Sequence, residues 1–135
     1  MATYNKFNSF VEALAEKAHN LGSDTLAVAL SNTAPAAGNS VLGDIVQIDY
    51  TNLPGSRALT TTSSSQTNGA YSLVVADKVL TATGPVPTFR YVVVYNDSAA
   101  ADELICWYDY GAGGVTLANG ETFTIDFGAN LLTLA

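Results

Sequence analysis

The chain has 135 residues, 48% apolar and only 13% charged, with twelve Asp and Glu against five Lys and Arg for a net charge of −7. That length suits one domain, residues 1–135, large enough to fold around its own core. Five basic residues scattered between positions 6 and 90 argue against nucleic-acid and anionic-membrane partners, and no apolar run reaches the roughly 18 residues of a membrane-spanning helix.

Residues 4–19 carry Phe7, Phe10, Val11, Leu14 and Ala18 at helical spacing, which predicts one N-terminal α-helix. Thr3 or Asn5 is the expected cap, and Gly22 the expected left-handed stop. From residue 24 to 135 the texture changes to short strands and turns. Leu26, Val28 and Leu30 alternate with Thr25, Ala27 and Ala29 as in a half-buried strand. SNTAPAAGNS, residues 31–40, reads as a loop, and residues 41–50 stay open between a short strand and an extended connection. Asn68-Gly69 between residues 57–66 and 70–76 predicts a hairpin, because this pair tolerates the positive φ angles of a tight turn. A strand over 78–83 is expected to end at Gly84-Pro85. Residues 89–95, FRYVVVY, are apolar almost throughout and predict a central strand covered on both faces.

ELICWYDY, residues 103–110, predicts the next strand. Leu104, Cys106, Tyr108 and Tyr110 are expected on one face, and Ile105, Trp107 and Asp109 on the other. A glycine-rich turn follows, then a hairpin over 115–127 centred on Asn119-Gly120, and a last short strand through Leu131, Leu132 and Leu134. About eight strands at this spacing predict a mainly β fold: an antiparallel β-sandwich or jelly-roll-like barrel with one N-terminal helix.

Residues able to support chemistry are sparse. The lone cysteine, Cys106, excludes an internal disulfide and a Cys-rich zinc site, and is expected to be a buried apolar side chain. The lone histidine, His19, is expected to meet the carbonyls at the helix C-terminus. No GxSxG elbow or phosphate-cradling loop is present. Asp109 lies among Trp107, Tyr108 and Tyr110, a composition shared by sugar sites. The simpler reading has Trp107 in the core and Asp109 accepting backbone hydrogen bonds from the following turn. Asn96, Asp97, Asp102 and Glu103 are oxygen donors too loosely spaced for a calcium loop. The reading is therefore of no enzyme, no cofactor and no metal.

Four blocks carry a resemblance. They are YNKFNSFVEALAEKAHNLGSDTLAVALSNTAP (4–35), SSSQTNGAYSLVVAD (63–77), FRYVVVYND (89–97), and WYDYG with VTLANGETFTIDF (within 107–127). Together the chain resembles a group of small tailed-phage and prophage virion structural proteins, among them the decoration or cement proteins of the head. The resemblance touches nearly the whole chain and is weakest over 41–58. It implies a protein on the outer surface of the head, assembled in the host cytoplasm, that binds the major capsid protein and copies of itself as a dimer or trimer. A net charge of −7 suits the outside of a DNA-filled shell, and MATYNKFNSF lacks the apolar core of an export signal. A tail or baseplate component and a carbohydrate- or receptor-binding β module, stacking on Trp107 and tyrosines, are the alternatives. Candidate interface residues are Tyr4, Phe7, Pro35, Tyr50, Leu53, Tyr95, Tyr108 and Tyr110, with the loops 31–56 and 96–103 as candidate contact regions.

Overall fold

A computed structural model describes residues 2–135. Its centre is a four-stranded antiparallel sheet in the order β1-β8-β7-β2, built from β1 (Thr3–Lys6), β8 (Leu104–Asp109), β7 (Tyr91–Asn96) and β2 (Leu26–Ser31). Every residue of β2 and β7 is buried, which a strand achieves only when both faces of its sheet are covered. On one face Val28, Leu30, Val92, Val94, Cys106 and Tyr108 enter the main core. On the other, Ala27, Ala29, Val93, Tyr95 and Leu104 form a second, smaller layer with Phe7, Ile45 and Trp107.

The main core is closed by a second tier of small sheets. β3 (Thr61–Thr67), β4 (Ala70–Val75) and β11 (Leu132–Leu134) pair in the order β11-β4-β3, β5 (Lys78–Thr81) pairs with β10 (Thr122–Ile125), and β6 (Val86–Phe89) pairs with β9 (Val115–Leu117). Leu73, Val75, Leu80, Ile125, Phe127 and Leu132 supply its buried side. The fold is mainly β, an antiparallel β-sandwich with one helix near the N-terminus, and its sheets do not close into a barrel.

Several local expectations give way to the structure. The helix, α1 (Ser9–Ala15), is half the predicted length, because Thr3–Lys6 joins the sheet edge instead. There Tyr4 sits opposite Tyr108, with their ring centroids 5.6 Å apart. Asn8 takes the N-cap place, and the turn beyond α1 is made left-handed by Lys17 (φ 69°) rather than by Gly22. Among the described residues, eleven strands stand where about eight were expected. Residues 115–127 are not a hairpin: β9 pairs with β6, and β10 with β5. The strand expected from residue 89 is two strands, β6 and β7, separated by Arg90.

In β8 the partners step from Cys106 opposite Val94 to Leu104 opposite Tyr95, so Ile105 is an extra, bulged residue. The bulge moves Leu104 to the face of Trp107, and Ile105 joins Cys106 and Tyr108 in the main core. By contrast, Asn68 (φ 52°) and Gly69 (φ 85°) form the tight β3–β4 turn as predicted.

Residues 41–58 have a structural task invisible in their composition. After a short 3-10 turn at Leu42–Asp44, the chain runs along the outer edge of β2. Ile48 N donates to Leu30 O, Val28 N to Arg57 O and Leu59 N to Leu26 O, at 3.0, 3.0 and 2.7 Å. A sheet edge that would otherwise present free backbone groups is thereby covered.

Candidate interaction surface

The eight candidate interface residues separate sharply by burial. Phe7, Leu53, Tyr95 and Tyr108 are core residues, at most 8% exposed, and are corrected from surface to interior. Phe7 is sealed because the chain turns from β1 into α1 at that point. Its N–H donates to Ile105 O, and its ring lies 4.5 Å from the Trp107 ring, centroid to centroid. Leu53 is drawn into the main core by the segment that covers β2.

Tyr50 is half-buried and works as a staple. Its hydroxyl accepts Leu30 N–H and donates to Gln47 Oε1, both at 2.8 Å, while the Arg57 guanidinium lies 3.6 Å from its ring centre. Burial raises the Tyr50 pKa, and the Leu30 hydrogen bond and Arg57 charge oppose that shift. Tyr110 and Pro35 are half-buried, and Tyr4 alone of the eight is substantially exposed, at 41%. The structure adds Val11, Val46 and Val79, each at least half exposed. Alternation offered no way to distinguish these from core valines: Val11 lies on the apolar stripe read from the helix, and Val79 precedes the buried Leu80.

Tyr108 and Tyr110 line a cleft of about 420 Å³ with Ala2, Thr124, Asp126, Phe127 and Gly128. Aromatic contacts brace its wall: Tyr108 with Phe127 at 5.9 Å and Tyr110 with Phe123 at 5.2 Å between centroids. Burial pushes both phenols above their ordinary pKa, and for Tyr110 the Asp126 carboxylate adds to the effect. They remain neutral hydrogen-bonding groups at physiological pH. Trp107, the expected stacking platform for sugars, lies on the opposite face of the four-stranded sheet against Phe7.

The acidic residues show a consistent use. Asp109 accepts two hydrogen bonds from Arg90, Nε at 2.7 Å and Nη2 at 3.0 Å, and the Gly111 N–H at 2.9 Å. The Arg90 hydrogen bond and the Gly111 amide hold its carboxyl below the usual range. Asp44 takes the amides of Ser40 and Val41, Asp49 that of Thr51, and Asp126 that of Gly128. Asp77 takes Phe127 N–H, Glu103 Ala101 N–H, Glu121 Ala118 N–H and Asp24 Asn20 N–H. Eight of the twelve acidic side chains in the sequence therefore fasten backbone amides, chiefly in turns. A carboxylate that accepts a loop amide makes a charge-assisted hydrogen bond and so restricts the loop.

His19 belongs to a buried polar knot rather than to the end of α1. The Asn96 amide nitrogen lies 3.0 Å from His19 Nδ1 and donates to Asp24 Oδ2 at 2.7 Å, while Asn96 Oδ1 accepts Ser98 N–H at 2.9 Å. Asn96, read from sequence as an oxygen donor beside Asp97, is thus committed internally. Burial lowers the His19 pKa, with Glu103 and Asp24 pulling the other way. Cys106 is buried and free, and desolvation raises its pKa strongly. Among the described residues, no group of three or more His, Cys, Asp or Glu side chains is arranged to hold a metal ion. Comparison with known proteins gives no significant match to a family model, a curated protein or a solved structure.

Proposed function

We propose that the protein is a non-enzymatic virion structural component of a tailed phage or prophage, a decoration protein that stabilises the head by contacting the major capsid protein and copies of itself. One observation carries the structural half of this reading: most of the acidic side chains are committed to fixing loops. Loops held this way present a preformed surface, and a preformed surface loses little entropy on docking. The aromatic residues serve the same end, bracing the sandwich through Tyr4–Tyr108, Phe7–Trp107 and Phe89–Phe123 contacts. The phage half of the reading rests on the four sequence blocks. A lattice of capsomers then multiplies modest contacts into firm attachment.

The test is reconstitution. Heads purified from particles lacking the protein should rupture at lower temperature than complete heads, and purified protein should restore them. Heads indifferent to its removal and to its addition would refute the decoration role; binding confined to tails would move the protein to the tail or baseplate.

A carbohydrate-binding reading is favoured by the cleft alone, where Tyr110 and Tyr108 stand beside the Asp126 carboxylate. It predicts that a glycan ligand is lost in Tyr110→Ala while the fold is retained.

A further inference from the structure

We propose that two copies of the chain join edge to edge through β3, antiparallel across a twofold axis centred on Ser65. The inference rests on the reading of the chain as an assembly module and assigns that module its self-contact. β3, TTSSSQT, is seven residues long, and all but Thr61 are exposed. It lies at the end of the β11-β4-β3 sheet. The antiparallel ladder closes on the two-residue turn Asn68-Gly69 with Thr67 opposite Ala70. By the alternation of such a ladder, Ser64 and Gln66 direct their N–H and C=O groups away from β4. Among the described residues, no backbone group outside this sheet bonds to residues 61–67.

The other principal edges differ. β2 is covered by residues 46–59. β1 is four residues long, carries Lys6, and has the Thr3 carbonyl occupied by the Asn5 side chain. Edge strands are ordinarily protected by charge, proline or a covering segment. β3 has neither charge nor proline, and its one irregularity, a bulge between Thr61 and Ser63, leaves the run from Ser63 to Thr67 in regular register.

Self-complementarity of the edge, unopposed by charge, points to a second copy as the occupant. Two copies each carrying −7 repel one another over most of their surfaces, but residues 58–76 contain no charged side chain. The hairpin therefore offers a second copy an edge whose own residues add no like-charge repulsion. In the register centred on Ser65, Ser64 of each copy faces Gln66 of the other, giving about four backbone hydrogen bonds. The two Ser65 residues then form a non-hydrogen-bonded pair, the closer type, with Cα atoms about 4.5 Å apart. Hydroxyl side chains opposite one another in such a pair are favourable, and like charges are not. A twofold contact of this kind is self-complementary and stops at two.

The experiment uses the full chain with substitutions at Ser65. Wild type should sediment as a dimer at 100 μM. Ser65→Cys should form a disulfide-linked dimer under mild oxidation, against a low background because Cys106 is buried. Ser65→Lys should raise the dimer dissociation constant at least tenfold with an unchanged circular dichroism spectrum, and should melt as the wild type does once both are diluted to monomer. Thr133→Cys, exposed on β11 and away from the β3 edge, should not cross-link. A wild-type monomer or trimer, equal cross-linking through Thr133→Cys, failure of Ser65→Cys to cross-link, or a dimer undisturbed by lysine would each overturn the proposal. These readouts concern the isolated protein, so their failure is distinct from failure of the head-attachment test.

Discussion

Replacing Phe7 by alanine separates a structural aromatic from an interface aromatic. The side chain is fully buried, in a layer made by Trp107, Ala27, Ala29, Val93 and Leu104 on the sheet and Ile45 from the loop above it. That layer is small, so little material can move in to fill the space a ring leaves. A Phe→Ala change at such a site costs about 3–5 kcal/mol, a large part of the ~5–15 kcal/mol that holds a typical domain together. For a domain of this size each kcal/mol moves the melting temperature by roughly 3 °C, so a drop of roughly 10–15 °C is expected. Urea unfolding followed by far-UV circular dichroism measures the cost. Trp107 is the only tryptophan in the chain and touches Phe7, so its emission reports on the layer and should shift to the red. A loss below about 1 kcal/mol with unchanged emission, accompanied by weakened association, would refute the assignment of Phe7 to the interior.

Three further outcomes follow from the same physics. Burial favours the neutral form of His19 and holds its pKa below the ordinary histidine value of about 6.5. The unfolded chain takes up a proton near that pH which the native state resists, so stability is full above about pH 7 and declines as pH falls below 6.5. The urea midpoint should be lower at pH 5.5 than at pH 7.5, and His19→Gln should flatten that difference; a flat wild-type profile would contradict the dominance of burial at His19. Cys106 should resist a thiol reagent in the native state and react fully in denaturant, because it is buried and its thiolate is disfavoured; rapid native labelling would contradict its placement. Gly69→Ala should cost about 1–2 kcal/mol by chemical denaturation, since φ is 85° there and an added Cβ meets no atom within 4 Å, leaving backbone strain as the only source.

The sequence made some elements plain. β7 was legible because its unbroken apolar run has one physical explanation, burial on both faces. The Asn68-Gly69 turn was legible because few residue pairs accept its φ angles. Asp109 was legible through the glycine two residues later, whose amide it accepts.

What stayed hidden depended on distant partners. Thr3–Lys6 becomes a strand only because β8 lies beside it, and four residues with a helical stripe downstream carry no local sign of that. The bulge at Ile105 exchanges the faces of Leu104 and Ile105, which strict alternation cannot anticipate. Asn119-Gly120 marks a turn correctly, yet the strands on either side pair elsewhere, because local turn chemistry fixes a reversal of the chain and not its partners. Residues 41–50 stayed open between a short strand and an extended connection because this segment bonds to a sheet edge without being a regular strand. Tyr50, Leu53, Tyr95 and Tyr108 were legible as important side chains, but an aromatic or apolar residue carries the same letter in a core and at an interface.

The most direct measurement is the stoichiometry of the protein in purified particles, by quantitative mass spectrometry against the major capsid protein. A head-decorating role predicts a fixed ratio to that protein, near unity or a simple fraction of it, retained in DNA-filled heads separated from their tails. Absence from the particles, or a few copies that travel with the tails, would contradict it.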